Sequence, residues 1–178
     1  MDTRANILSL FGLRSDEADF AALYDQELPR IYNYFRFRIG DNALAEDLTA
    51  ETFEKAWRNR QQYRKDRAAF STWLFTIARR VFIDHLRKQQ KVVSLEALAG
   101  LPADENTEAA VLQRANFARL GSLLSQIADR DRELVALRYG AGLTNRTIAR
   151  LTGLSESNVG VLLHRAVQKL REAWEKKP

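Results

Sequence analysis

LTNRTIARLTGLSESNVGVLLHRAVQKL, residues 143–170, holds two helices and the turn between them in one short run. Thr144 stands before Asn145–Thr152, and its hydroxyl is of the kind that accepts from the free amides of a helix's first turn. Gly153-Leu154-Ser155 then breaks the pattern: glycine closes one helix and Ser155 caps the next. In that next helix, read from Glu156 to about Trp174, Val159, Leu163, Ala166 and Leu170 recur at spacings of three and four, one apolar stripe that must be buried. Ile148, Ala149 and Leu151 give the preceding helix a face to meet it. Caps, turn and stripe coincide, which predicts a helix-turn-helix.

With the stripe turned inward, Ser157, Asn158, His164, Arg165 and Gln168 face outward. These side chains donate to base edges or phosphates when a helix lies in the major groove. A helical hairpin that only packs on a neighbour would share the stripe, but it would not need this turn and both caps. Glu156 is accounted for by the positive end of the helix dipole.

Working outward, the rest of the chain reads as helix too. Of 178 residues, 46% are hydrophobic, with only 8 Gly and 3 Pro, too few turn formers for an all-β protein. The spacing predicts helices over 19–39, 43–60, from Ser71 or Thr72 to about Lys91, and over 108–127 and 130–139. Pro29 falls inside the first and predicts a kink or boundary near Leu28. Residues 92–107 combine Gly100 and Pro102 with acids and weak periodicity, so they read as a linker. The expected fold is all-α: a tail (1–18), a helical domain (19–91), a flexible acidic linker (92–107) and a helix-turn-helix domain (108–178).

Charge is segmented along this plan. The net charge is +5, but Arg79–Lys91 holds five bases against one acid, whereas Val92–Glu108 holds four acids and no base. Different stretches are built for different partners. The absence of cysteine excludes a disulfide framework and a thiolate zinc site, and two histidines far apart in sequence give no metal set, so no metal or cofactor is expected. No run of about 18 apolar residues predicts a membrane span, and a cytoplasmic setting is expected. No nucleophile has acid–base support, so an enzyme is not expected.

The second helix carries Asp47, Glu51 and Glu54 on one side, with Leu44, Leu48, Phe53, Ala56 and Trp57 on the other. Glu51 with Lys55 and Glu54 with Arg58 could simply pair along a solvated face. The next loop and helix interleave aromatics with bases, Tyr63, Arg64, Lys65, Arg67, Phe70, Trp73, Arg79 and Arg80, a pattern suited to unstacked single-stranded DNA. Trp73 and Phe75 are expected in the core; Tyr63 and Phe70, at the loop ends, are the stacking candidates. His85 is expected to be exposed, near phosphate.

Three blocks, Ala45–Trp57, Phe70–Arg87 and Asp131–Arg171, resemble in order regions 2.2, 2.3–2.4 and 4 of the sigma-70 family of bacterial RNA polymerase specificity factors, in its short extracytoplasmic-function (ECF) group. The resemblance implies that Asp47, Glu51 and Glu54 dock on the clamp helices of the polymerase β′ subunit, and that the second domain meets the β flap. It implies that the Tyr63–Phe70 loop captures a base flipped from the −10 promoter element, with Tyr63, Arg64, Phe70, Arg79, Arg80, His85 and Lys88 contacting that element. Ser157, Asn158, His164, Arg165 and Gln168 would read the −35 element. The linker would thread through polymerase, and an anti-sigma factor is a further implied partner. One departure from many relatives is Val159-Gly160-Val161-Leu162-Leu163: Gly160 takes a side chain from the reading face, while Val161 and Leu162 could touch thymine methyls. The alternative is a stand-alone helix-turn-helix regulator that never joins polymerase.

Overall fold

A computed structural model describes residues 15–92, except 65 and 67, and residues 108–176. Most of the expected tail and the linker, with Lys65 and Arg67, lie outside the described residues. The chain is all-helical there: α1 (Ser15–Ile39), α2 (Asn42–Arg58), a 3-10 turn (Arg60–Gln62), α3 (Phe70–Val92), α4 (Glu108–Gln126), α5 (Asp129–Val135), a π-turn (Ala136–Gly140), α6 (Asn145–Thr152) and α7 (Glu156–Glu175).

α1 does not break at Pro29. It is one helix of 25 residues with the proline inside, because Pro29 is exposed and its bulk meets solvent, while Ile31, Tyr34 and Phe35 just beyond it are fully buried. Burial of about 1.5–3 kcal/mol per large side chain outweighs the lost hydrogen bond. Gly40, at φ 79°, ends α1 in the left-handed region. Asp41 then caps α2 by accepting from the Leu44 amide at 3.0 Å.

α2 packs Ala45, Leu48, Phe53 and Ala56 against α1 and α3, along with Thr49 and Thr52. Their hydroxyls donate back to the Ala45 and Leu48 carbonyls at 2.6 and 2.7 Å, so no buried donor is stranded. α3 starts at Phe70, one residue earlier than expected, and buries Leu74, Phe75, Ala78, Val81 and Phe82.

The helix-turn-helix is present as read. Thr144 accepts from the Thr147 amide and Ser155 from the Asn158 amide, each at 3.2 Å, and Gly153 takes φ 75° at the turn. Ile148, Val159, Leu163 and Ala166 are buried between the helices. The helix expected over 130–139 instead starts at Asp129 and loosens after Val135 into the π-turn, whose wide bond from the Ala141 amide to the Ala136 carbonyl is 2.9 Å.

The two halves share one continuous core, from Ile31 and Phe75 through Leu134 and Leu137 to Val159. They meet along α1 and α3 on one side, and α4, α5, the π-turn and α6 on the other.

Candidate nucleic-acid interface

Ser157, Asn158, His164 and Arg165 are all exposed on α7, one polar face opposite the buried stripe; Gln168, a turn further on, is half-buried. Val161 is exposed beside them and Leu162 half-buried. Gly160 does not open onto this face, contrary to the expectation from sequence. A side chain there would meet the Asn145 amide nitrogen at 3.6 Å, so the glycine lies at the crossing of α6 and α7. Two bases missed by the sequence reading, Arg146 and Arg150, are exposed on α6, and Arg146 reaches Glu156 at 3.6 Å beside the start of α7. The signal was their place on the polar side of a helix whose other face, Ile148, is buried.

On α2, Asp47 and Glu54 are exposed and Glu51 is half-buried. Glu51 pairs with Lys55 at 2.8 Å and Glu54 with Arg58 at 2.5 Å, both pairs open to solvent and worth little to stability. Beside this stripe, Tyr24, Leu28, Pro29 and Tyr32 of α1 and Glu46, Thr49 and Ala50 of α2 line a groove of about 440 Å³.

The aromatics at the base of α3 are assembled with one another. Tyr63 meets Phe70 edge-on at 5.4 Å and Trp73 at 5.3 Å, while Phe20 reaches Phe70 at 6.0 Å and Trp57 at 5.0 Å. Phe70 is only 8% exposed and forms the floor of this cluster; Tyr63 is half-buried at its edge. Arg64 is exposed and bonded twice to Asp66 at 3.1 Å. Arg80 and Lys88 are exposed along α3.

Three residues depart from expectation, the first being Phe70, whose ring is the buried floor of this cluster rather than an open stacking face. His85 is half-buried, its Nε2 enclosed and without a hydrogen-bond partner, rather than exposed. Arg79 is turned toward the other half: its Nε donates to Glu133 at 2.7 Å and its Nη1 to the Leu151 carbonyl. Among the described residues, no three His, Asp or Glu side chains come together as a metal site needs, and no helix is long and apolar enough to cross a membrane.

Comparison with known proteins gives this geometry a lineage. The family described as sigma-70 region 2 matches residues 23–92, and sigma-70 region 4 matches residues 117–170. The ECF RNA polymerase sigma factor RpoE of Cereibacter sphaeroides is 30% identical over 159 residues, which cover 88% of this chain and 87% of that one. The chain belongs to the sigma-70 family, in its ECF group. Another ECF sigma factor, BldN of Streptomyces coelicolor, is 34% identical over 161 residues, 88% of this chain but 61% of BldN. SigM of Bacillus subtilis is 29% identical, over 86% of this chain and 94% of its own.

Two solved structures share the sigma-70 fold. The sigma factor RpoE in complex with the anti-sigma factor NepR, from Bartonella quintana, aligns with a TM-score of 0.69 at 22% identity, covering 90% of this chain and 99% of that one. CnrH in complex with the cytosolic domain of CnrY aligns at 0.64 with 23% identity, over 89% of each chain. The acidic stripe and, apart from Phe20, the aromatic cluster fall within the region 2 match, and the helix-turn-helix within the region 4 match.

Proposed function

We propose that this protein is a bacterial RNA polymerase sigma factor that docks on core polymerase through α2, binds the −10 element with α3 and the Tyr63 edge, and reads the −35 element with α7. The observation that carries the reading is the pairing of an exposed acidic stripe, Asp47, Glu51 and Glu54, with an exposed polar face on a capped helix-turn-helix, in a chain of this family. Sigma factors are regulatory subunits rather than catalysts, which fits a molecule whose carboxylates sit on helix faces.

The residues divide by task. Asp47, Glu51 and Glu54 meet basic groups on the β′ clamp helices, and the neighbouring groove of Tyr24 and Tyr32 accepts an apolar side chain from the same partner. Region 4 meets the β flap. Arg64, Arg79, Arg80, His85 and Lys88 serve the opened −10 strand; Tyr63 offers a stacking face, and Phe70 supports it from below. Ser157, Asn158, His164, Arg165 and Gln168 serve the −35 element, with Arg146 on the adjoining phosphates. Residues 19–91 and 108–178 act as the two functional units, joined by the acidic stretch 92–107. An anti-sigma factor is a further partner, in keeping with the complexes that share this fold.

The test is transcription in vitro by purified core polymerase on fragmented genomic DNA, with sequencing of transcript 5′ ends. New start sites that share two upstream elements are expected with this protein. Asp47→Arg with Glu51→Arg should abolish polymerase binding without unfolding the chain, and Arg165→Ala should remove promoter-dependent transcripts while polymerase binding persists. DNA binding intact, with no protein-dependent start, would establish the stand-alone regulator instead.

A further inference from the structure

We propose that Val161 sets a thymine requirement at one position of the upstream promoter element, its methyl groups packing on the 5-methyl of that base when α7 enters the major groove. The proposal rests on the reading of α7 as the −35 helix and adds to it a residue that selects sequence.

The run Gly160-Val161-Leu162 is placed in three different ways. Gly160 lies at the crossing with α6, where a side chain would stand 3.6 Å from the Asn145 amide nitrogen. Leu162 is half-buried and packs against the core. Of the three, only Val161 turns outward, 49% exposed.

A valine exposed on an arbitrary surface carries no message. This one stands in the middle of the polar face. Ser157 and Asn158 come four and three residues before it, His164 and Arg165 three and four after it, and these positions are its neighbours on the helix surface. It also falls within the first two turns of α7, the part of a recognition helix that reaches base edges. Whatever surface Asn158 and Arg165 touch together, Val161 touches too. Ser157 contributes less, since its hydroxyl lies 3.2 Å from that of the capping Ser155 and is tied to the turn.

Base edges in the major groove offer donors, acceptors and one apolar group, the thymine methyl. Polar side chains on the face gain from the first two, whereas valine gains only from the third, which cytosine lacks. Branching at Cβ holds valine close to a single rotamer in a helix, so the contact costs little side-chain freedom. A protein partner fits less well. The core of a protein interface is an apolar patch of several residues, and Leu162, next to Val161 on α7, faces into the molecule instead.

Deoxyuridine makes the test specific, because it differs from thymidine in the base only by that methyl. Core polymerase carrying the full chain selects duplexes from a random pool, and the enriched upstream element is rebuilt with each thymine, on either strand, replaced singly by deoxyuridine. One replacement is expected to weaken binding about fourfold, the worth of one methyl-sized apolar group left in water, and the others to change nothing. With Val161→Ala that same replacement should be silent, the thymine duplex already binding as weakly. The variant keeps its fold, because Val161 lies outside the core and alanine is the better helix former. An element without any A·T pair, or one in which no deoxyuridine is felt although Arg165→Ala still prevents enrichment, would overturn the role of Val161 and leave α7 as the reader. A Val161→Ala loss of equal size on thymine and deoxyuridine duplexes would overturn it in favour of a protein contact. Enrichment of no element, or of the same element with Arg165→Ala, would sink the −35 reading itself and this assignment with it.

Discussion

Gly153 and Gly140 need to be glycine for opposite reasons. Gly153 holds φ 75° with nothing near the place of a Cβ, so Gly153→Ala should lower stability through the backbone alone, by about 1–2 kcal/mol in denaturant unfolding. Gly140 has no positive φ, and its constraint is the carbonyl 2.8 Å away in another helix. Gly153 was legible in sequence because turn and cap chemistry is local: a glycine followed two residues later by a capping serine says what it does. Gly140 was not, because its neighbour Asn33 lies more than a hundred positions earlier. The contacts of Arg79 were not legible for the same reason: Glu133 and Leu151 are brought to it only by the fold.

At the scale of the element, α1 shows how packing overrides a local signal. Pro29 argued for a break, yet the helix runs through it, so Pro29→Ala should let the residue 29 amide donate a hydrogen bond to the Asp25 carbonyl and stabilise the protein by roughly 1–3 kcal/mol. A midpoint that falls on this substitution would mean that the ring's contacts with the groove matter more than the missing bond. Helix existence was readable everywhere the 3.6-residue stripe was clean, in α2, α3, α6 and α7. The π-turn was not, since residues 136–140 keep helical composition and bury Ala136 and Leu137 as an α-helix there would. The acidic face of α2 and the polar face of α7 could be placed because each lies opposite a buried stripe. The burial of Phe70 could not, because it depends on Phe20 arriving from α1.

For the whole molecule, two helical halves were foreseeable and their packing against each other was not. That packing carries a pH signature. The hydrogen bonds from Arg38 hold the Asp129 carboxyl below its ordinary value, against a smaller opposing effect of burial and with help from the charges of Arg38 and Arg132. A depressed carboxylate stabilises above its unfolded pKa, about 3.9, and that contribution is lost as pH falls through the lower folded value. Stability against denaturant should therefore hold from neutral pH down to about 4 and fall below it. An Asp129→Asn chain should lack the part of the transition that belongs to this pair. A stability that does not respond below pH 4 would show that the Arg38–Asp129 contact contributes nothing to holding the halves together. Glu27 points the other way: burial raises its pKa despite Arg30, so its contribution does not share this acid limb.

Where the halves meet, Arg30 and Arg79 of the first answer to main-chain oxygens of the second, at Ala141 and Leu151. Every residue type presents that same oxygen. An alanine scan across the second half would find Glu133 and Asp129 and pass over both carbonyls in silence. Among relatives, Arg30 could persist with no partner position changing in step, so pairwise co-variation would miss its bond to Ala141, whereas Arg79 is tied to the Glu133 side chain as well. Drift on the acceptor side leaves the bonds to carbonyls intact, and their strength is adjustable mainly from the arginine side.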